Sequence, residues 1–262
     1  MIAEIHNKIS RSGSNLSDRL EDQLTGDFFG SIRYLPFHIG LKHVLDAVRF
    51  QKADQASGRN WRKLLGSIQD YDYQMHFWFR HTEGEIDLIM EHSDVVIGIE
   101  VKYYSGLSSD DEDTEEIVTP EESCHQLARY SRLLEDIRQG RQAYLIFLAP
   151  NNILTPVEAG IMGRSIISPN ISLGFLAWQN VLEQLKSIEL TQLDAGQRMI
   201  IQDLSDLLVR KGFERFKGFL SGTQNVSVHD NAYLFKGKSH NQRALNWPIN
   251  VFVQEDSYVF NK

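Results

Sequence analysis

One cysteine, Cys124, stands among 262 residues. It has no partner for an internal disulfide and no companions for a thiolate zinc cage, so neither device staples the fold, and a reducing cytoplasm is the expected compartment. Long apolar runs are also missing. None approaches the roughly 18 residues of a membrane span, and the opening stretch MIAEIHNKIS has no basic segment followed by an apolar core. Neither a membrane partner nor secretion is expected. Basic excess is absent too, with 27 Lys and Arg against 35 Asp and Glu and a formal charge of −8. That balance excludes a uniformly cationic nucleic-acid coat, but its origin is local. Eight acids lie between Asp110 and Glu122 with no Lys or Arg among them, and setting these eight aside leaves 27 acids against 27 bases. The rest of the chain is therefore able to carry basic patches.

What is present reads as a globular α/β chain, because 42% hydrophobic and 24% charged residues are enough for a core and too apolar for disorder. Residues 15–45 show helical spacing from a Ser17 cap, broken near Pro36, which predicts two helices. The aromatic-rich stretch 73–80, YQMHFWFR, predicts the first strand. Residues 85–91 and 94–103 predict two more, joined tightly at His92-Ser93 into a meander. Residues 120–139 carry apolar positions Leu127, Tyr130, Leu133, Leu134 and Ile137, a helix opened by Thr119-Pro120 and closed by Gly140. The all-apolar runs 143–149 and 173–178 predict strands covered on both faces, so the helix before them is a crossover. A further helix is expected over 192–210. The domain reading is one domain over 1–220 and a C-terminal extension over 221–262 packed on it.

The chemistry concentrates in GEIDLIMEHSDVVIGIEVK, residues 84–102. Side chains alternate faces along a strand, so Glu100 and Lys102 share one face with Val96 and Gly98, opposite Val95, Ile97, Ile99 and Val101. Asp87 lies on the preceding strand, where antiparallel pairing brings its carboxylate to the same end of the sheet. Two carboxylates about 4 Å apart repel by roughly 4 kcal/mol at an effective dielectric of about 20. A hard divalent cation meets that need, since Mg²⁺ takes oxygen ligands and is held by one or two carboxylates. Such an ion polarises a phosphodiester and acidifies a bound water, while Lys102 orients that water or stabilises the developing charge.

The order D-x(12)-E-x-K formed by Asp87, Glu100 and Lys102 resembles the PD-(D/E)XK nuclease superfamily, the restriction-endonuclease-like fold, with Ile86 in place of the naming proline. The resemblance implies a helix, a three-stranded meander, a crossover helix and a further strand. It implies DNA hydrolysis with Mg²⁺ or Mn²⁺ held by Asp87 and Glu100, water activation by Lys102, and a third metal-binding acid on the first helix, for which Glu21 is the candidate beside Asp18 and Asp22. Gln126 and Tyr130, four residues apart on one helical face, resemble the Q-x-x-x-Y element of recombination-associated members. A role in bacterial restriction or anti-phage defence is implied at family level, while a homo-oligomer and an activating or regulatory partner protein are left open by the sequence. Two alternatives stay open: a catalytically silent nucleic-acid-binding or assembly module, and an RNA-directed nuclease.

Other features carry less. His76, His81, His92 and His125 match no zinc spacing. Arg59, Trp61, Arg62 and Lys63, and again Arg210, Lys211, Phe213, Arg215, Phe216, Lys217 and Phe219, suit phosphate contact or cations on amphipathic helix ends. The acidic stretch 108–122 reads as a solvated insertion leaving the sheet beside Glu100 and Lys102, or as an electrostatic gate over the site.

Overall fold

All seven residues of the strand Val95–Val101 are buried, which requires cover on both faces of the sheet. The computed structural model describes residues 16–51, 55–111 and 119–215. In chain order these form α1 (Leu16–Ile32), α2 (Leu41–Asp46), β1 (Arg49–Phe50), α3 (Gln55–Leu65), β2 (Gln74–His81), β3 (Gly84–Glu91), β4 (Val95–Val101) and α4 (Gln126–Ile137). There follow β5 (Gln142–Ala149), α5 (Asn151–Ile161), β6 (Ile171–Ala177), α6 (Trp178–Ser187), a short 3₁₀ turn (Leu190–Gln192) and α7 (Ala195–Arg210). The expected extension over 221–262, with its packing, lies outside the described residues, as do Phe216, Lys217 and Phe219.

The strands make one open mixed sheet in the order β1-β6-β5-β4-β3-β2. β2, β3 and β4 are an antiparallel meander, β4, β5 and β6 run parallel, and β1 closes the far edge antiparallel to β6. One face buries Leu24 and Phe28 of α1, Trp61 of α3, Trp178 of α6 and Leu204 of α7 against Val95, Ile97, Ile99 and Val101. The other buries Leu127, Leu133 and Leu134 of α4 and Leu154 of α5 against Ile89, Val96 and Phe147. The chain is thus α/β with helices on both faces, and β4 carries the alternation expected of it.

α4 sits close on the sheet because Gly98 has no side chain. A Cβ there would lie 2.9 Å from Ile86 Cδ1 and 3.1 Å from Leu134, tighter than atoms normally approach. This close seat brings Gln126 and Tyr130 down onto the end of β4.

Several expectations need correction. α1 is described from Leu16, which puts Ser17 within the helix and not at the cap position before it. α4 starts at Gln126, not near Pro120; the His125 ring accepts the Leu127 N–H as its cap, while 120–125 are turn and loop. Trp178 opens α6 instead of ending a strand. β1, α3, α5 and α6 were not anticipated. β1 is two residues long and has no period to read, and α5 is masked by Pro156 and Gly160, both poor helix residues.

Candidate active site

The β3–β4 ladder ends with Leu88 opposite Ile99, and the same register carried one step further sets Asp87 opposite Glu100. There the main-chain pairing gives way to a side chain: Val101 N–H donates to Asp87 Oδ2 at 2.8 Å. A buried amide must find an acceptor, and a short aspartate at the strand end supplies one. β4 meanwhile stays paired with β5, since Lys102 N–H donates to Leu148 O at 2.7 Å. The two strands therefore part at the carboxylates, leaving room beside them.

Glu100 Oε1 accepts from Lys102 Nζ at 2.7 Å and from Gln126 Nε2 at 2.7 Å. Gln126 Oε1 accepts the Ser108 N–H at 2.9 Å, so its amide orientation follows from its partners, a carboxylate that only accepts and an N–H that only donates. Gln126 Nε2 also donates to Tyr130 Oη at 3.1 Å, and Tyr130 donates to Glu85 O at 2.6 Å. The Q-x-x-x-Y pair thus braces Glu100 and the start of β3, and the Gln amide does not reach the lysine.

Glu21 is present as well, on the lysine side. Its Oε1 accepts from Lys102 Nζ at 3.3 Å, and its Oε2 accepts from Tyr103 N–H and Ser105 Oγ, each at 2.8 Å. Both oxygens are engaged with the protein, so in this geometry Glu21 holds Lys102 and the chain just beyond β4. Asp22 turns to Trp78 Nε1, 3.0 Å away. For Asp18 the side chain lies outside the described residues.

Glu21, Asp87 and Glu100 bring three carboxyls to one ammonium. Burial and then the charge of Glu100 push the Asp87 carboxyl well above the ordinary aspartate value, against the pull of Lys102. Glu100 is raised by burial, with Lys102 again opposing. For Lys102, burial works to lower the ammonium, but Glu100, Glu21 and Asp87 outweigh it and hold it above the usual lysine value. With no metal bound, Glu100 and Glu21 hold Lys102 as a cation. Tyr130 is raised by burial and then by Glu100, so its hydroxyl stays a donor.

These groups line an open cavity of about 450 Å³ that reaches Glu21, Asp87, Glu100, Lys102, Gln126 and Tyr130. Asp87 keeps part of its surface in that cavity, whereas Glu100 and Lys102 are 2% and 6% exposed. Larger space, about 680 Å³, lies at the opposite end of β4 and β5 around Lys63, Asp94 and Arg141, remote from this chemistry. Among the described residues no three His, Cys, Asp or Glu side chains form a ready-made metal cage. Two facing carboxyls on an open cavity are instead the sparse donor set that suits Mg²⁺, which keeps several of its waters.

Sequence reasoning missed Trp78, Ser105 and Ser108. Nothing in their spacing marks them, because each acts through a turn or a main-chain group. The histidines are dispersed: His125 caps α4, His92 lies 3.5 Å from Asp72, and His81 lies 3.6 Å from Asp136. On α3, Trp61 is core and donates to Leu45 O, with Arg59, Arg62 and Lys63 on the exposed face. The acidic stretch is described only at its ends. Asp111 accepts from Ser123 Oγ and Cys124 N–H, and Arg164 pairs with both Asp110 and Asp111. Residues 112–118 lie outside the described residues.

No helix among the described residues is long and apolar enough to cross a membrane. No family model, no curated protein and no solved structure matches this chain.

Proposed function

We propose that this chain is a metal-dependent nuclease that hydrolyses DNA phosphodiester bonds, on a restriction-endonuclease-like core of the PD-(D/E)XK kind. One observation carries the reading: Asp87 and Glu100 oppose each other where β3 and β4 part, with Lys102 Nζ 2.7 Å from Glu100, all on one open cavity. The sheet supports it, since a helix, an antiparallel meander, a crossover helix and a parallel strand follow in the order that the resemblance implies.

The donor set fits Mg²⁺ or Mn²⁺. The carboxyls of Glu21, Asp87 and Glu100 outnumber the single ammonium of Lys102, and burial of uncompensated negative charge is costly without a proton or a counter-ion. Asp87 and Glu100 would hold the ion, which when bound supplies Lewis-acid polarisation of the phosphate and a more acidic water. The proton of the attacking water leaves to solvent through the open cavity, and Lys102 is held as a cation by Glu100 and Glu21. It orients that water through its N–H groups and stabilises charge that builds on the phosphate oxygens as the P–O ester bond breaks. Glu21 and Glu100 fix the ammonium from two sides, and Gln126 fixes Glu100 in turn. Restriction or anti-phage defence is the biological setting that the superfamily resemblance suggests.

The test is cleavage of plasmid, single-stranded DNA and RNA with Mg²⁺, Mn²⁺, Ca²⁺ or EDTA. Cleavage of DNA with Mg²⁺ or Mn²⁺, lost in EDTA and in Asp87→Ala and Glu100→Ala, is the expected result. No metal-dependent cleavage of any nucleic acid, or full activity in either variant, removes the assignment.

A further inference from the structure

The two residues after Lys102 are tyrosines, and the second is 62% exposed. Exposed aromatic rings are usually mobile, but this one is fixed. The Tyr104 ring lies on the Tyr103 ring with centroids 3.9 Å apart, and its hydroxyl donates to Tyr103 Oη at 2.9 Å. Tyr103 Oη donates onward to Lys211 O at 3.3 Å. The Tyr103 ring is itself wedged against Phe213 at 5.5 Å and lies under Lys211 Nζ at 5.0 Å. Trp178 stacks on Phe213 and donates from Nε1 to Lys102 O at 3.0 Å, tying the aromatic group to the lysine's own backbone.

One face of Tyr104 is therefore held by the protein and the other is open. Its position is equally constrained. Lys102 and Ser105, on either side of it in the chain, both line the cavity, and Tyr104 Cα lies within about 7 Å of Lys102 Cα because two residues span no more. A flat π-surface held two residues from Lys102 has an evident ligand on the nuclease reading, a nucleobase. Every base offers a π-face, and the ordering cost of the side chain is already met in the free protein.

We infer that Tyr104 is a stacking platform for an unpaired nucleobase next to the scissile phosphate, which makes single-stranded DNA the preferred substrate; this rests on the nuclease reading above. In a duplex, each base is stacked on its neighbours and presents only edges to the grooves, so the platform has nothing to hold. Lys211 Nζ, 5.0 Å from the Tyr103 ring, is a further cation of this aromatic group.

Binding separates this inference from the chemistry beneath it. Fluorescence anisotropy of the full chain in Ca²⁺, with a short fluorescein-labelled DNA strand, its duplex and the RNA of the same sequence, is run beside Mg²⁺-dependent cleavage by wild type and Lys102→Ala. The expected result is tighter binding to the single DNA strand. Tyr104→Ala weakens that binding roughly tenfold and leaves the duplex unchanged, while Tyr104→Phe, which keeps the ring, behaves as wild type. If DNA is cut in a Lys102-dependent way while Tyr104→Ala binds the single strand as well as wild type does, or loses duplex binding equally, the platform is rejected and the nuclease reading stands. A preference for RNA overturns the assignment to DNA. A wild-type chain that neither binds nor cuts any nucleic acid overturns both.

Discussion

Trp78 stands opposite Asp87 in the register of β2 and β3, with its backbone in the left-handed region at φ 48° and its indole N–H on Asp22 Oδ1 at 3.0 Å. The pairs on either side are bonded, Phe77 with Leu88 and Phe79 with Ile86, so the departure is confined to the position facing the site. A bulky residue at positive φ costs about 1–3 kcal/mol, and the surroundings must over-determine it. Here the twist sends Trp78 into the same core as its neighbour Phe77, breaking the alternation, and fastens β2 to α1 one residue from Glu21. Trp78→Phe keeps the ring and removes the donor, and is expected to cost about 1.5–3 kcal/mol in urea unfolding, the range for hydrogen bonds to charged groups. In a double-mutant cycle with Asp22→Ala the two losses should not add. Additive losses would break the assignment of the tether.

Asp87 predicts a stability that depends on pH in a defined sense. Its folded value lies above the ordinary 3.8 of an unfolded aspartate. The folded chain therefore holds an extra proton between the two values, and the metal-free protein loses stability as pH rises through that window. Asp87→Asn keeps an acceptor for Val101 N–H and removes the charge. Its melting temperature should match wild type below pH about 4 and exceed it at neutral pH. Mg²⁺ should raise the melting temperature of wild type and leave that of Asp87→Asn nearly still. A variant less stable than wild type at neutral pH without metal contradicts the charge account.

Where the sequence was legible, one physical rule was enough. Alternation along DVVIGIEVK separates Glu100 and Lys102 from Ile97 and Ile99, and the spacing of Gln126 and Tyr130 puts both on one side of a helix, because each rule concerns residues near in sequence. Glu21 was findable only through the superfamily resemblance, since no local pattern predicts which acid of α1 will meet Lys102 across 81 positions. Trp78 and Ser105 were not findable, as a left-handed twist and a turn hydroxyl depend on tertiary contacts that leave no period. The two-residue strand β1 exists only because β6 offers it an edge.

Lys102 is expected to separate chemistry from metal binding. Lys102→Met removes the cation between Glu100 and Glu21, and leaving buried charges unpaired costs about 3–5 kcal/mol. Adding Glu100→Gln to that variant should restore part of the loss, because fewer charges then remain uncompensated. Single-turnover cleavage at saturating Mg²⁺ should fall by about 10²–10³-fold in Lys102→Met, while its melting temperature still rises with Mg²⁺. A folded Lys102→Met chain that cuts DNA at the wild-type rate would return the lysine to a purely structural ion pair.

Gln126 couples the site to the chain that follows β4. Its amide bonds Glu100 with one end and the Ser108 amide with the other, and the main-chain N–H of Gln126 donates to Ser109 O at 3.1 Å. Gln126→Ala leaves the buried Glu100 oxygen with one donor fewer and the Ser108 N–H without its acceptor, a destabilisation of about 1–3 kcal/mol. Because Gln126 orients Glu100, the carboxylate proposed above to hold the metal, the effect on function should appear in the Mg²⁺ dependence, with half-maximal cleavage shifted to about 10–100-fold higher Mg²⁺ and KM for DNA little changed. Gln126→Glu separates orientation from packing, since it keeps the volume but sets a carboxylate against Glu100. It should be the worse variant at neutral pH and recover toward wild type as the pH is lowered and the introduced acid takes a proton. An unshifted Mg²⁺ requirement in Gln126→Ala, with stability lost, would reduce this residue to a packing contact between α4 and the sheet.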